Sequence, residues 1–292
     1  MTLKGKTAVI TGASSGIGAE LADQLAAEGV RLALAARRKD ALDEVARRAE
    51  ARGVNVLAMT CDVTRRPSAE LLVHETVLKF GRIDILVNNA GRGHLGSVEE
   101  TTDEVIEHMF AVNTYALWYT TRPALAYMRK QGSGHIINVA SMAGKLGFPY
   151  NSAYVAAKHA CVGFTHALRL ELAETGIHAS VVCPGGVRTD WAANTEGGAM
   201  LPLFSQSGPL IKAIAAERGQ ALPPIEGVVD AGRVAREIVE CVRNPVAEVY
   251  IQKGSREFVV LSAQEREKAE RYQIPVVLGE REVYLKMKDK KK

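Results

Sequence analysis

Cysteine is scarce: Cys61, Cys161, Cys183 and Cys241 are the only four in 292 residues, scattered without a CxxC pair or a histidine at ligand spacing. That excludes a zinc ribbon or a dithiol redox motif, so no metal is expected, and it leaves buried free thiols in a reducing cytoplasm. Long apolar runs are missing as well. None approaches the roughly 18 residues that cross a bilayer, and the opening MTLKGKTAVITG enters a strand-like run too soon to hold a signal peptide. A stable membrane anchor is therefore not expected. Charge of one sign is absent from the body of the chain. The 37 Lys and Arg against 33 Asp and Glu leave +4, and residues 281–292, REVYLKMKDKKK, hold six basic against two acidic residues and so account for all of it. A neutral body lacks the basic face that nucleic-acid binding requires. The basic end itself reads as a self-repelling, solvated tail.

What is present is an alternation. TAVIT (7–11), RLALAA (31–36), VNVLAMT (54–60), IDILVN (83–88), HIINVA (135–140) and HASVVC (178–183) read as buried strands, separated by helical patterns that begin near Ile17, Asp40, Ser68, Asp103, Asn113 and Ala153. Continuous apolar strands alternating with helices require a parallel sheet covered on both faces, a doubly wound α/β sheet or Rossmann fold. The alternation stops after Pro184 for about forty residues, a Gly- and Pro-rich stretch that predicts a substrate lid over about 188–226. A helix near 230–242 and a strand AEVYIQ (247–252) complete the pattern. One domain over 1–254 and a charged C-terminal extension over 255–292 follow.

Three stretches carry chemistry. The first strand runs into TGASSGIG, so Gly12, Ser14, Ser15, Gly16, Ile17 and Gly18 form a turn and open a helix, where close backbone approach and free N–H groups suit a pyrophosphate. After the second strand the chain reads AARRKD. Ala36 offers no carboxylate for an adenosine ribose, while Arg37 and Arg38 offer guanidinium groups for a 2'-phosphate, which predicts NADP rather than NAD. The third stretch is YVAAK, which puts Tyr154 and Lys158 one helical turn apart on one face. Alone, it reads as a half-exposed tyrosine beside a solvated lysine.

TGASSGIG, NNAG (88–91), Asn113, Ser141, YVAAK thirteen residues later and PGGVRT (184–189) occur in order across roughly residues 5–190, and the chain so resembles the short-chain dehydrogenase/reductase family. The resemblance implies that Tyr154 donates a proton to a substrate carbonyl and that Ser141 holds the carbonyl oxygen. It implies that Lys158 binds the nicotinamide ribose and lowers the phenol's pKa, and that Asn113 sits at a helix break and holds a water. Asp62 and Val63 would meet the adenine, Asn89, Ala90 and Gly91 would pack along the cofactor, and Pro184, Gly185, Val187 and Thr189 would meet the nicotinamide.

The expected activity is NADP(H)-dependent interconversion of a ketone or aldehyde and its alcohol. Trp191, Phe204, Leu146, Phe148 and Tyr150 predict a substrate that is apolar near the reacting carbon. Departures from the family pattern count too: EVYIQKGSREF replaces a short Asp-Gly-Gly ending and the chain runs on, which weakens assignment as a 3-oxoacyl-carrier-protein reductase. A catalytically silent NADP-binding sensor or scaffold is a second reading, although Tyr154 and Lys158 are both present. An epimerase or dehydratase would want a different glycine spacing. Helices near 113–130 and 153–174, carrying Trp118, Tyr119, Ala153, Ala156, Ala160 and Gly163, are those that pair many relatives, so a homodimer or higher homo-oligomer is expected.

Overall fold

A computed structural model describes residues 2–198 and 200–289, apart from the side chain of Phe204. The first half reads β1 (Thr7–Thr11), α1 (Gly16–Ala27), β2 (Arg31–Ala36), α2 (Lys39–Glu50), β3 (Val56–Thr60), α3 (Arg66–Phe80), β4 (Ile85–Asn88) and α4 (Asp103–Phe110). A π-helical turn (Ala111–Tyr115) leads into α5 (Ala116–Gln131), followed by β5 (Gly134–Val139), α6 (Ser152–Glu171) and β6 (Ile177–Cys183). The last third holds β7 (Val187–Arg188), α7 (Leu201–Glu217), β8 (Val229–Asp230), α8 (Ala231–Arg243), β9 (Glu248–Tyr250), α9 (Ser255–Gln264) and α10 (Arg266–Asp289).

Seven strands form one parallel sheet in the order β3-β2-β1-β4-β5-β6-β9. Every residue of β1 and β4 is buried, because helices cover both faces: α1, α2 and α8 pack one side into a single apolar core, while α3, α5 and α6 close the other. The expected doubly wound sheet is therefore present. Strand order reverses between β1 and β4, and the crevice beyond the carboxyl ends of such strands is where an open α/β sheet binds ligands. The turn after β1, the NNAG segment after β4, Ser141 after β5 and PGGVRT after β6 all open onto that crevice.

Two expectations change. Residues 188–226 are not simply a loop. Val187 pairs with Val229 and Arg188 with Asp230, so β7 and β8 clasp the base of the insertion, and α7 fills its middle. The C-terminal extension is not a solvated tail either. Through Asp289 it forms α9 and α10, with α10 packed along α7. Gly279 lets the two helices approach, since a Cβ there would lie 2.6 Å from the Ile211 side chain. Val283 and Tyr284 are 2% and 5% exposed, within a cluster that includes Leu95, Met200 and Leu203. The charges that suggested a solvated end occupy the outer face of α10; Lys290–Lys292 lie outside the described residues. Among the described residues no helix is long and apolar enough to cross a membrane.

Candidate active site

A cavity of about 430 Å³ runs along the carboxyl ends of the central strands. At its first end lies the turn between β1 and α1. Gly12 has φ 67°, and a Cβ there would sit 2.8 Å from the Ala90 Cα; a Cβ on Gly18 would lie 2.4 Å from the Gly12 carbonyl oxygen. Only glycine permits this closeness, which brings the turn against the NNAG segment and leaves backbone facing the cavity. Thr11 completes the join: its hydroxyl accepts from the Asn89 and Ala90 amides at 3.0 and 3.1 Å. The Asn89 side chain donates to the Thr11 carbonyl at 2.9 Å.

Arg37 and Arg38 line the mouth of the same cavity and are exposed. The Arg38 guanidinium donates to the Ser15 and Ser14 hydroxyls at 2.6 and 3.3 Å, which couples the end of β2 to the glycine-rich turn. Asp62 and Val63 form the neighbouring wall. The Asp62 carboxylate accepts from the Thr64 amide and hydroxyl at 3.0 and 2.8 Å and so is held in place.

At the inner end lie Ser141, Tyr154 and Lys158. Ser141 caps a 3-10 turn, its hydroxyl accepting from the Ala143 amide at 3.1 Å. Tyr154 is 8% exposed, and burial pushes its phenol above the ordinary value while the Ser141 hydroxyl opposes that shift. Lys158 is 4% exposed, donates to the Val139 carbonyl at 2.9 Å, and is itself lowered by burial. The ammonium lies 5.8 Å from the centre of the Tyr154 ring, and loss of water disfavours the charged form of both groups.

Asn113 occupies the π-helical turn between α4 and α5, a true break in the helix. Its amide donates to the Met109 and Arg92 carbonyls at 2.9 and 3.0 Å, and its oxygen accepts from the Arg92 amide at 3.2 Å. Gly91 is wedged beside it: a Cβ would lie 3.0 Å from the Asn113 Oδ1 and 3.4 Å from the Lys158 Nζ. The structure thereby brings Asn113, Gly91 and Lys158 together, although each comes from a different element.

Pro184, Gly185, Val187 and Thr189 line the far wall. Gln252, at the end of β9, was missed in the sequence. It is 2% exposed, accepts from the Gly185 amide at 2.7 Å and donates to the Gly186 carbonyl at 2.9 Å. A glutamine after the last strand carries no local signal for such a role. Trp191 tilts over Tyr154 with ring centres 5.4 Å apart, and Phe148, Met200, Leu203 and Glu280 complete the outer lining. Of the apolar residues expected near a substrate, Leu146 and Tyr150 serve packing instead: Leu146 is buried in a core cluster with Ala140 and Met142, and Tyr150 stacks on Tyr284 at 4.0 Å.

The sequence model described as short chain dehydrogenase matches residues 6–198. The chain is 32% identical to the ketoacyl reductase HetN of Nostoc sp. over 253 residues, 87% of this chain and 80% of that protein. Among solved structures, an actinorhodin polyketide ketoreductase variant with NADPH superposes with a TM-score of 0.72 at 33% identity, covering 84% of this chain and 95% of the other. A short chain dehydrogenase/reductase from Burkholderia phymatum in complex with NAD gives 0.78 at 29% identity, covering 91% and 96%.

Proposed function

This chain belongs to the short-chain dehydrogenase family of oxidoreductases, and on that premise we propose that it interconverts a ketone or aldehyde and its alcohol with NADP(H). The observation that carries this reading is the pairing of a buried Tyr154 with Ser141 and Lys158 at the inner end of a cavity whose mouth bears Arg37 and Arg38. When bound, the dinucleotide supplies or takes the hydride. The residues fit it: the Gly12 and Gly18 contacts leave no room for a side chain beside the turn, so that turn would hold the pyrophosphate. Arg37 and Arg38 would hold the 2'-phosphate, with Ser14 and Ser15 beside them. Asp62 and Val63 would flank the adenine, and Asn89–Gly91 and Pro184–Thr189 the nicotinamide half.

The work of the protein's own groups follows from their surroundings. A phenol raised by burial holds its proton at neutral pH, the state needed to donate to a carbonyl oxygen. Ser141 would hold that oxygen by a hydrogen bond. As the phenol gives up its proton, the Lys158 ammonium favours the phenolate that forms, an attraction that strengthens in a site closed from water. Asn113, fixed by three hydrogen bonds, would hold a water through which Lys158 reaches solvent.

Phe148, Trp191, Met200 and Leu203 support a substrate that is apolar near the reacting carbon. The ketoacyl reductase relative favours a second substrate reading, a 3-oxoacyl thioester. The reading extends to a homodimer through α5 and α6, where Ala156 and Gly163 are exposed small residues, in the cytoplasm, with residues 1–254 as the oxidoreductase domain and 255–292 as an extension that reaches the cavity through Glu280. The test is a panel of ketones, aldehydes and a 3-oxoacyl thioester followed by NADPH absorbance, with NADH in parallel. NADPH should bind at least about tenfold more tightly, equivalent to roughly 1.4 kcal/mol. Equal affinities would remove the roles given to Arg37 and Arg38.

A further inference from the structure

Glu280 is the single acidic side chain that α10 adds to the cavity. It follows Gly279, which seats the helix against Ile211 of α7, and precedes Val283 and Tyr284, which are locked into the lid core. The helix is therefore fixed on both sides of Glu280, which lines the cavity together with Phe148, Met200 and Leu203. His108 and Arg92 both pair with Glu196, Arg92 at 3.9 Å. Among the described residues Glu280 has neither a hydrogen-bond donor nor a cation beside it. Burial alone pushes its carboxyl up to about 7.

We propose that Glu280 is the polar anchor of the substrate site, selecting carbonyl substrates that carry a hydroxyl group remote from the reacting carbon. The inference rests on the carbonyl-reductase reading above. A carboxyl group partly withdrawn from water gains from a partner, and a hydroxyl suits it in either state, donating to the carboxylate or accepting from the acid. A substrate carboxylate would meet a like charge. A substrate ammonium would lose more water than a hydroxyl to reach the same carboxyl.

The experiment compares kcat/KM for three matched substrates: an aryl alkyl ketone, its para-hydroxy analogue and its para-aminomethyl analogue. It uses the full-length wild type, Glu280→Gln and Glu280→Leu, with NADPH binding by fluorescence as the check that each variant is folded. The ratio of hydroxy ketone to plain ketone cancels any general loss of activity. It should favour the hydroxy ketone by at least about tenfold in the wild type, fall in the Gln variant and invert in the Leu variant. Equal ratios in all three proteins, or preference for the amino ketone, would overturn the proposal while leaving carbonyl reduction standing. Failure of the wild type to reduce any ketone would overturn the parent reading, and this one with it.

Discussion

Tyr154 sits where ionisation is costly, and its role depends on who shares the phenolic proton. Removing only the hydroxyl tests this most cleanly. Tyr154→Phe keeps the ring against Trp191 and should lower kcat by at least about 100-fold, the usual worth of a positioned acid, with NADPH affinity nearly unchanged in a fluorescence titration. Turnover within tenfold of wild type would assign the proton donor elsewhere. At this scale the sequence was informative where the geometry is local. Tyr154 and Lys158 lie four apart on a helix, so their shared face follows from helix geometry alone. Asn113 and Gly91 required the family resemblance, because their meeting with Lys158 depends on three separate elements. Gln252 and Glu280 had no local signal: one reaches back across the sheet to Gly185, and the other meets the cavity only because α10 folds over α7.

Among the elements, the strands of the sheet were plain because burial on both faces demands uninterrupted apolar runs. α10 was not, because its charges dominate its composition. Yet Gly279, Val283 and Met287 recur every four residues, with Tyr272 and Tyr284 beside that stripe, and this is the face that packs. Its far end is pinned as well. Tyr284 stacks on Tyr150, accepts from the Ser97 amide at 3.1 Å and donates to the Glu100 carboxylate. Lys288 pairs with the same carboxylate at 2.8 Å, and hydrogen bonds from Lys288 and Tyr284 hold Glu100 down to about 2. Those surface charges add little; the buried ring carries the attachment. Tyr284→Ala should therefore cost about 3 kcal/mol, read in urea unfolding, and should raise KM by loosening the wall that holds Glu280. Unchanged stability would mean that α10 rests on α7 without contributing to the fold.

For the whole molecule, two titratable groups, His135 buried and Glu280 half-buried, pull stability in opposite directions with pH. His135 on β5 makes its one hydrogen bond through Nε2, 2.8 Å from the Ser180 hydroxyl, while Nδ1 has no partner among the described residues. Burial, reinforced by nearby His178 and Arg169, pushes it down to about 3. The unfolded chain takes up a proton near 6.5 that the folded chain refuses, so this stability is present above 6.5 and is lost as pH falls toward 3. Glu280 is the reverse case. Its folded value of about 7 lies above the ordinary 4.5, so its contribution is full below 4.5 and is lost as pH rises through 7. Each slope is at most about 1.4 kcal/mol per pH unit, and the two oppose each other between roughly 4.5 and 6.5. A melting temperature that is flat across that window and declines on both sides is the expected result, the acid side being shared with the buried ion pair at Asp84. His135→Asn should shallow the acid decline, and Glu280→Gln should remove the decline between about 6.5 and 8. Scanning fluorimetry of the three proteins against pH checks both, and curves that stay parallel to wild type would show that neither group's burial reaches the stability of the fold.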